Sequence, residues 1–566
     1  MWDIETANWD TFVCGGIWTP ASGVQIYNDE NQLAGHLLSL PPGSVAWAHA
    51  GGKFDVLWLL DWCRRNGNIP EAQIRMSGSS IASPAIKRGV TLRDSARLMP
   101  MSLREACTMF PNGALKERLS LACVCGKDCG GYCAIRVKMS ARSRAQLHSY
   151  LEADILSLRD TLTALSDYCQ AHDILLGGTV ASSGWRTAKG RCSLDDAAWD
   201  SSAYKIARAG YYGGRVEVGQ LSAKKVHRFD RKSAYPAQLM LPVPCGDMRV
   251  LTPKNAKQAF SRALPGIYGV DITIRDAMSP PLPVRTGNRI VYPHGRVSGV
   301  WSRDEIIHAV DCGARVERVV GGVVWEHEKP LLAPHVKHCF ALREAAPTKA
   351  LKVWLKFLAN SLTGAFAQDP AQDIVALGDY ADDERWEPVG RYDWIWRRET
   401  FRISQRAHVH FAATLTAGAR VELHSQIEHA GSAWCYSDTD STIATRKLTR
   451  NVGDELGQWA NEGNAKDFVA LAPKVYSYTT SDGKFLARAK GIPSAEDVWP
   501  KIMSGDAIAL DRGVDSLLVA ARGEALFKRR KGTRRVLPRD GWCGARIIDG
   551  NRTRAPSVDD LPDMPK

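Results

Sequence analysis

The sequence predicts a multidomain α/β protein, and three observations lead there. The chain has 566 residues, enough for several domains. Its 45% hydrophobic content is ordinary for globular cores. Short β-rich runs broken by Gly, Pro and Asp alternate with segments of helical period. No run of about 18 apolar residues appears, so no membrane span is expected. No secretory signal is visible, so the expected location is the cytoplasm of the (host) cell. A formal net charge of +13 points to a polyanionic partner.

The first element is a short strand from Met1 to about Thr6, with Asp3 and Glu5 on one face because residues two apart point the same way. Little strand precedes that pair, and strands pair over several residues, so a trimmed start is the expectation. Asp55 stands before the apolar run Val56-Leu57-Trp58-Leu59-Leu60. In Tyr150-Leu151-Glu152-Ala153-Asp154 a spacing of four sets Tyr150 and Asp154 on one helix face, and a helical pattern runs from about Ile155 to Ala171. Four carboxylates from separate segments plus a tyrosine fit a two-metal phosphodiesterase site, with the metals roughly 3.5–4 Å apart. Unrelated surface acids are the alternative.

Fourteen cysteines, mostly scattered, fit reduced thiols rather than a disulfide framework. Cys123, Cys125, Cys129 and Cys133 are the exception, interleaved with glycines. They are either a zinc site of unusual spacing or a glycine-rich loop with free thiols.

Tyr211-Tyr212-Gly213-Gly214 follows, where paired glycines let a backbone come close to a ligand or simply turn. Asp230 ends a strand in Phe229-Asp230-Arg231-Lys232-Ser233-Ala234-Tyr235-Pro236. Some ninety residues of prolines and short β-rich runs come next. A helix from Leu331 to Ala345 carries Arg343, Pro347 breaks it, and a second helix spans about Thr348 to Phe366. On the second, a spacing of four aligns Lys352, Lys356 and Asn360 on one face. With Arg343 they either grip a triphosphate or form a solvated cationic face. Residues from about Gln368 to Trp396 read as a polar, aromatic-spotted hairpin.

Ala433 to Thr445 reads as strand, tight turn, strand, with Asp438 and Asp440 facing one way and Thr439 turned from them. Two carboxylates held together repel unless a cation or proton settles them, and magnesium suits carboxylate plus phosphate oxygens. A hairpin tip with its charges in water is the other reading. Lys474-Val475-Tyr476 and a small basic region from about Ile502 close the chain, with residues from Ala555 expected to be mobile.

The order DRKSAYP, KFLANSLTG, YSDTDS resembles motifs A, B and C of the family B DNA polymerases, and the spacing is most similar to the protein-primed branch of bacteriophages and linear plasmids. The resemblance implies an RNase H-like exonuclease domain and a right-hand polymerase of palm, fingers and thumb with two insertions. It divides the chain into a 3′–5′ exonuclease domain (1–174), palm (175–241 and 403–505), a terminal-protein contact insertion (242–333), fingers (334–367), a strand-displacement insertion (368–402) and thumb (506–566). Asp230, Asp438 and Asp440 would be catalytic, with Asp230 and Asp440 on two Mg2+ (or Mn2+). Asp3, Glu5, Asp55 and Asp154 would bind the exonuclease metals, and Tyr150 would orient the attacking water. Tyr235, Arg343, Lys356 and Asn360 would bind the dNTP. Phe54, Ser95, Lys116, Tyr211, Gly213, Gly214, Lys474 and Tyr476 would contact DNA.

The partners so implied are template-primer DNA, dNTPs and a terminal protein primer, met by a monomer away from membranes. Two residues depart from the family pattern: Ala50 stands where asparagine is usual and Thr363 where tyrosine is usual, so weakened proofreading and altered base selection are expected. The rival readings are a family B polymerase that starts without a protein primer, an inactive DNA-binding scaffold, and an exonuclease alone.

Overall fold

In the computed structural model, which describes residues 1–563 apart from 68–70, 78–79, 87–88, 112–120, 122–131, 391, 515–516, 518–526, 528 and 537–540, the chain begins in a strand. β1 (Trp2–Ala7) pairs antiparallel along its length with β2 (Thr11–Thr19), and β3 (Gly23–Tyr27) completes that sheet. Trp2 already pairs with Ile17, and the Met1 ammonium donates to the Trp18 carbonyl at 3.0 Å. α1 (Glu30–Ser39) starts at Asp29, whose carboxylate accepts the Asn31 N–H and caps the first turn. β4 (Val45–Ala48) and α2 (Asp55–Arg65) follow, then β5 (Ala72–Ser77), β6 (Ser80–Ile86) and β7 (Thr91–Asp94), with β4 and β7 parallel. Leu33, Leu37, Val56, Leu60 and Ile74 share one core between these helices and strands.

α3 (Leu103–Cys107) leads to α4 (Ala141–Ala171), which starts well before Ile155 because Ser140 caps it by accepting the Ser143 N–H. α5 (Val180–Arg191) and α6 (Ser201–Ala209) connect to β8 (Val216–Val218) and β9 (Ser222–Arg231), after which α7 (Ala234–Leu239) turns the chain. A second α/β unit comes next: β10 (Val243–Leu251), α8 (Pro253–Ser261), β11 (Gly266–Ile274), the hairpin β12 (Val284–Thr286) and β13 (Arg289–Val291), β14 (Gly295–Ser302), α9 (Arg303–Asp311) and β15 (Arg315–Lys329). Its antiparallel sheet runs β10-β15-β11-β14.

The helical hairpin is α10 (Ala333–Ala345) and α11 (Lys349–Phe366), within two residues of its expected bounds; Thr348 caps α11 by accepting the Leu351 N–H. Gly184 of α5 lets α5 pack closely on α11: a methyl there would lie 2.6 Å from Ser361 Oγ and 2.8 Å from the Leu358 carbonyl. β16 (Ala371–Leu377), β17 (Glu387–Val389) and β18 (Tyr392–Phe401) form the expected polar hairpin. It joins the N-terminal sheet by pairing β16 with β5, a contact no local pattern announces.

α12 (Val409–Ala430) then feeds β19 (Trp434–Asp438), β20 (Ser441–Ala444), β21 (Trp459–Ala472), β22 (Val475–Thr480) and β23 (Phe485–Ala489). They complete a central sheet in the order β23-β22-β21-β9-β20-β19-β8. α13 (Ala495–Ser504) and the pair β24 (Ile508–Val514) and β25 (Arg529–Arg534) stand beyond its edge.

The last three strands, β26 (Trp542–Cys543), β27 (Arg546–Asp549) and β28 (Arg552–Arg554), return to the central sheet, where Arg546 is fully buried beside Glu217 and Gln220 bridges to Arg552. Residues from Ala555, expected to be mobile, are docked as far as the description reaches. The Val558 N–H donates to the His294 carbonyl at 3.0 Å, and His294 N–H donates to the Pro556 carbonyl at 3.1 Å. Apolar Ala555 and Val558 outweigh the local wealth of Pro and Asp, because both pack against buried neighbours.

Three histidines in this scaffold are held neutral. Burial pushes His335 and His408 down to about 4, and His410, stacked on Trp325 at 4.4 Å, well below its ordinary value. Their folded-state values lie below the unfolded value near 6.5, so their stabilisation is complete above that pH and is lost as pH falls toward about 4. Each contributes a slope of up to about 1.4 kcal/mol per pH unit in that window. Chemical denaturation should therefore show a midpoint that drops steadily from pH 7 to pH 5; a flat midpoint would contradict neutral burial.

Candidate active site

The β19–β20 turn is the strand, turn, strand expected around Asp438 and Asp440. Thr439 takes φ 56°, donates its N–H to the Arg215 carbonyl at 2.7 Å, and gives its hydroxyl to Asp438 Oδ1 at 3.1 Å. Next door, β9 pairs Asp230 with Ser441, and the Arg231 N–H donates to the Asp440 carbonyl at 2.6 Å. The register thus sets the ends of two non-consecutive strands side by side. Burial first, and then the charge of Asp440, pushes Asp230 up to about 6, with Lys356 opposing. Asp440 is also raised, by burial and by Asp438, again opposed by Lys356. Mutually repelling, half-buried carboxylates of this kind fit a divalent cation, which suits oxygen donors and would relieve their repulsion.

Above them, α10 and α11 bring Arg343, Lys352 and Lys356 to one wall of a cleft of about 740 Å³ that also holds Asp230 and Lys232. The cationic face is therefore turned on the acids. Asn360 is partly buried one turn further on, and its Oδ1 has no hydrogen-bond partner among the described residues. Thr363 is buried, so the smaller residue there leaves no ring exposed on this helix face. Tyr235 lies close enough to Asp440, Tyr211 and Asp438 for their charges to raise its phenol further, after burial as the main cause.

Lys474 and Tyr476 join the acids rather than standing apart. The Lys474 ammonium holds both oxygens of Asp438 at 2.8 and 2.9 Å, and its backbone N–H takes the Tyr436 hydroxyl at 3.0 Å. Tyr476 packs against Tyr436 with ring centroids 4.8 Å apart. No local pattern announces that ion pair, since 36 residues separate its ends.

The Tyr211–Gly214 segment runs directly behind the turn. At Gly214 a methyl would lie 2.6 Å from Thr439 Oγ1, so only glycine permits this approach, whereas at Gly213 a methyl would make only an ordinary contact with Ile290 at 4.0 Å. Tyr211 sits under the Arg208 guanidinium at 5.3 Å. A clamp that sequence reading missed holds the segment. Arg420 of α12 donates to the Tyr212 and Gly213 carbonyls at 2.7 and 3.1 Å, and makes a forked pair with Glu305 of α9 at 2.7 and 2.9 Å. Beside it, Arg215 pairs with Glu217 at 2.6 Å and donates to Ser279 Oγ and the Pro280 carbonyl.

A second acidic site lies in the N-terminal unit. Asp3, Glu5, Asp55 and Asp154 line a cavity of about 960 Å³ together with His49, Ala50 and Phe54. One oxygen from each of Asp3, Glu5 and Asp154 falls within 4.8 Å of the others. Asp55 is buried and held well above the usual carboxylate range, first by burial and then by the charge of Asp3; its Oδ1 has no hydrogen-bond partner among the described residues. An orphaned buried oxygen beside three converging acids fits a cation-binding role.

Phe54 reaches this cavity and meets Trp9 and Phe527 edge-on at 6.3 and 4.9 Å. Two expected members are corrected. Ser95 is fully buried, its hydroxyl bonded to His49 Nδ1 and the Ala48 carbonyl, so it cannot touch a strand in the cavity. Tyr150 is buried among Val13, Leu147 and Ile155 and does not line the cavity. Lys116, Cys123, Cys125 and Cys129 lie outside the described residues, and Cys133 borders the acidic cavity.

Ala50 takes φ 62° and ψ 15°, a left-handed conformation that asparagine adopts more readily than alanine. Ala50→Asn should therefore raise stability by about 1 kcal/mol, the lower end of the strain such residues carry. Equilibrium denaturation would check this; a destabilised variant would show that the asparagine amide does not fit.

Comparison with known proteins agrees with this geometry. The family "DNA polymerase type B, organellar and viral" matches residues 136–385. A "Probable DNA polymerase" of Podospora anserina is 24% identical over 59% of this chain; the chain covers 31% of that protein's length. The "DNA-directed DNA polymerase" of Enterobacteria phage PRD1 is 22% identical over 79% of this chain and 75% of its own. In fold, the chain matches Phi29 DNA polymerase in complex with primer-template DNA and incoming nucleotides, with a TM-score of 0.72, 16% identity, and coverage of 94% of this chain and 99% of that one. The expected mixed α/β architecture of exonuclease, palm, fingers and thumb is thus the observed one.

Proposed function

We propose, starting from a chain that resembles the type B DNA polymerases in its matched family segment, fold and motif order, that it is a protein-primed polymerase that extends the 3′-hydroxyl of a primer on a DNA template and edits its own ends. One observation carries the reading: Asp230, set beside Asp440 by the β9–β20 register, lines the same cleft as Arg343, Lys352 and Lys356, and the Lys356 charge acts on both carboxylates.

When bound between those carboxylates, two magnesium (or manganese) ions supply a more acidic primer hydroxyl and a shielded pyrophosphate. The chain's own residues do the positioning. Arg343 and Lys356 hold the triphosphate against the acids, the arginine through its forked donors. Asn360 offers its amide to the same nucleotide. Tyr235, half-buried near Asp440, limits the room at the sugar. Lys474 keeps Asp438 in place until primer and nucleotide arrive, then is near enough to meet a primer phosphate. Positioning and charge complementarity together supply most of the acceleration.

Asp3, Glu5, Asp55 and Asp154 form the editing site, with Phe54 stacking on a frayed end. Tyr211 and Gly213, with Gly214 against the turn, contact template and help partition the primer between the two sites. The unit at 242–333 meets a terminal protein whose hydroxyl serves as the first primer. The hairpin at 368–402 encircles the duplex and supports strand displacement.

The test is direct. The chain with primed template, dNTPs and Mg2+ should give template-directed extension that a chelator abolishes; no incorporation with either Mg2+ or Mn2+ would sink the reading. Unprimed template with and without a tyrosine-bearing protein separates protein priming from a primer-independent start. Deleting residues 379–384 should abolish displacement while leaving gap filling; unchanged displacement would remove the hairpin from that role.

A further inference from the structure

Away from both acidic sites, where α9 meets α12, three soft donors converge. His308 and Cys312 are one turn apart at the end of α9, with Cys312 Sγ 3.7 Å from His308 Nε2. The same His308 Nε2 lies 2.8 Å from His424 Nδ1 on α12, and all three donor atoms fall within 4.8 Å of one another. His424 is buried, and its other nitrogen, Nε2, is 2.6 Å from the Ser279 carbonyl. A carbonyl can only accept, so Nε2 carries the proton and the lone pair is on Nδ1, aimed at the other two donors. Fixing a ring this way through its far nitrogen is how ligating histidines are commonly held.

We infer that His308, Cys312 and His424 bind a zinc ion. Two imidazoles and a thiolate are a donor set that zinc favours, at about 2.0–2.1 Å for nitrogen and about 2.3 Å for sulfur. Tetrahedral geometry at those lengths needs about 3.3 Å between nitrogens and about 3.6 Å from nitrogen to sulfur. The sulfur is already at its distance, and the rings must part by about half an ångström. Glu428, one turn after His424, has its carboxylate 3.8 Å from Nε2, the nitrogen on the far side of that ring, so the fourth position falls to a water beside three protein donors. Local charge permits a dication plus thiolate: Arg215 is paired with Glu217 and Arg420 with Glu305, and the Glu428 and Asp311 carboxylates offset Arg275 around Cys312. Binding replaces the thiol proton, which leaves to solvent.

The ion would tie the inserted α/β unit to α12 just behind the catalytic turn. Ser279 holds both His424 and Arg215, and the Arg215 carbonyl holds Thr439. The site is a fastening for the catalytic hairpin, not a participant in chemistry.

The experiment uses full-length protein in which Cys123, Cys125, Cys129 and Cys133 are serine, so that no thiolate from that cluster can report. Metal-free protein is titrated with Zn2+ and, separately, Co2+. One equivalent of Co2+ should give visible tetrahedral bands and a near-ultraviolet thiolate charge-transfer band, displaced by Zn2+. Cys312→Ser should abolish the charge-transfer band, and His308→Gln should keep it while weakening affinity about tenfold or more. No thiolate band at one equivalent, or a band that survives Cys312→Ser, would overturn the assignment and leave a hydrogen-bonded histidine pair.

Discussion

Asp440→Asn should reduce nucleotide incorporation about a thousandfold, the factor given by about 4 kcal/mol of lost charge stabilisation. The substitution keeps the size of the side chain, and the Asp440 carbonyl that accepts the Arg231 N–H is untouched. The hairpin should therefore keep its shape while losing one of two charges that must share cations. Degradation of single-stranded DNA should persist, because Asp3, Glu5, Asp55 and Asp154 lie in the separate N-terminal cavity. That retained activity also controls for folding. Primer extension measured beside 3′-end degradation would decide: equal loss of both would mean the variant fails structurally, and unchanged extension would remove Asp440 from the catalytic set.

The second large effect is structural. Arg420→Met should destabilise the protein by about 3–5 kcal/mol, the cost of leaving one member of a buried ion pair without its partner. Both side chains are buried, at 2% and 1% exposure, so Glu305 would keep its charge with no solvent to screen it. The Tyr212 and Gly213 carbonyls would lose their donor in the same step. Adding Glu305→Leu should recover much of the loss, since the buried charge is then gone as well. Urea midpoints of the single and double variants check this; a single variant within 1 kcal/mol of the parent, by the usual size of surface effects, would mean the pair is not buried in solution.

What could be read beforehand was whatever is encoded within one segment. Acid pairs, the helix break at Pro347, and the strand, turn, strand at Trp434–Ala444 all follow from spacing and propensity. The order of the carboxylate motifs then carried the fold. What could not be read were partners chosen across the chain. Lys474 on Asp438, Arg420 on Glu305, and Ser95 turned inward to His49 each depend on which surfaces meet, and sequence spacing holds no record of that. Gly214 was visible as a glycine, but its reason, the Thr439 side chain against its Cα, was not. The C-terminal segment misled for the opposite cause: its Pro and Asp content suits a free tail, while Ala555 is buried and Val558 packs, partly buried, against a core formed far away in sequence.

The measurement closest to the central claim is a crystal of the chain with primer-template and nucleotide, grown with manganese and recorded at the manganese absorption edge. An anomalous peak touched by the carboxylates of both Asp230 and Asp440 is the predicted result. Manganese bound to one of them alone, with the other carboxylate out of reach while substrate is in place, would contradict it.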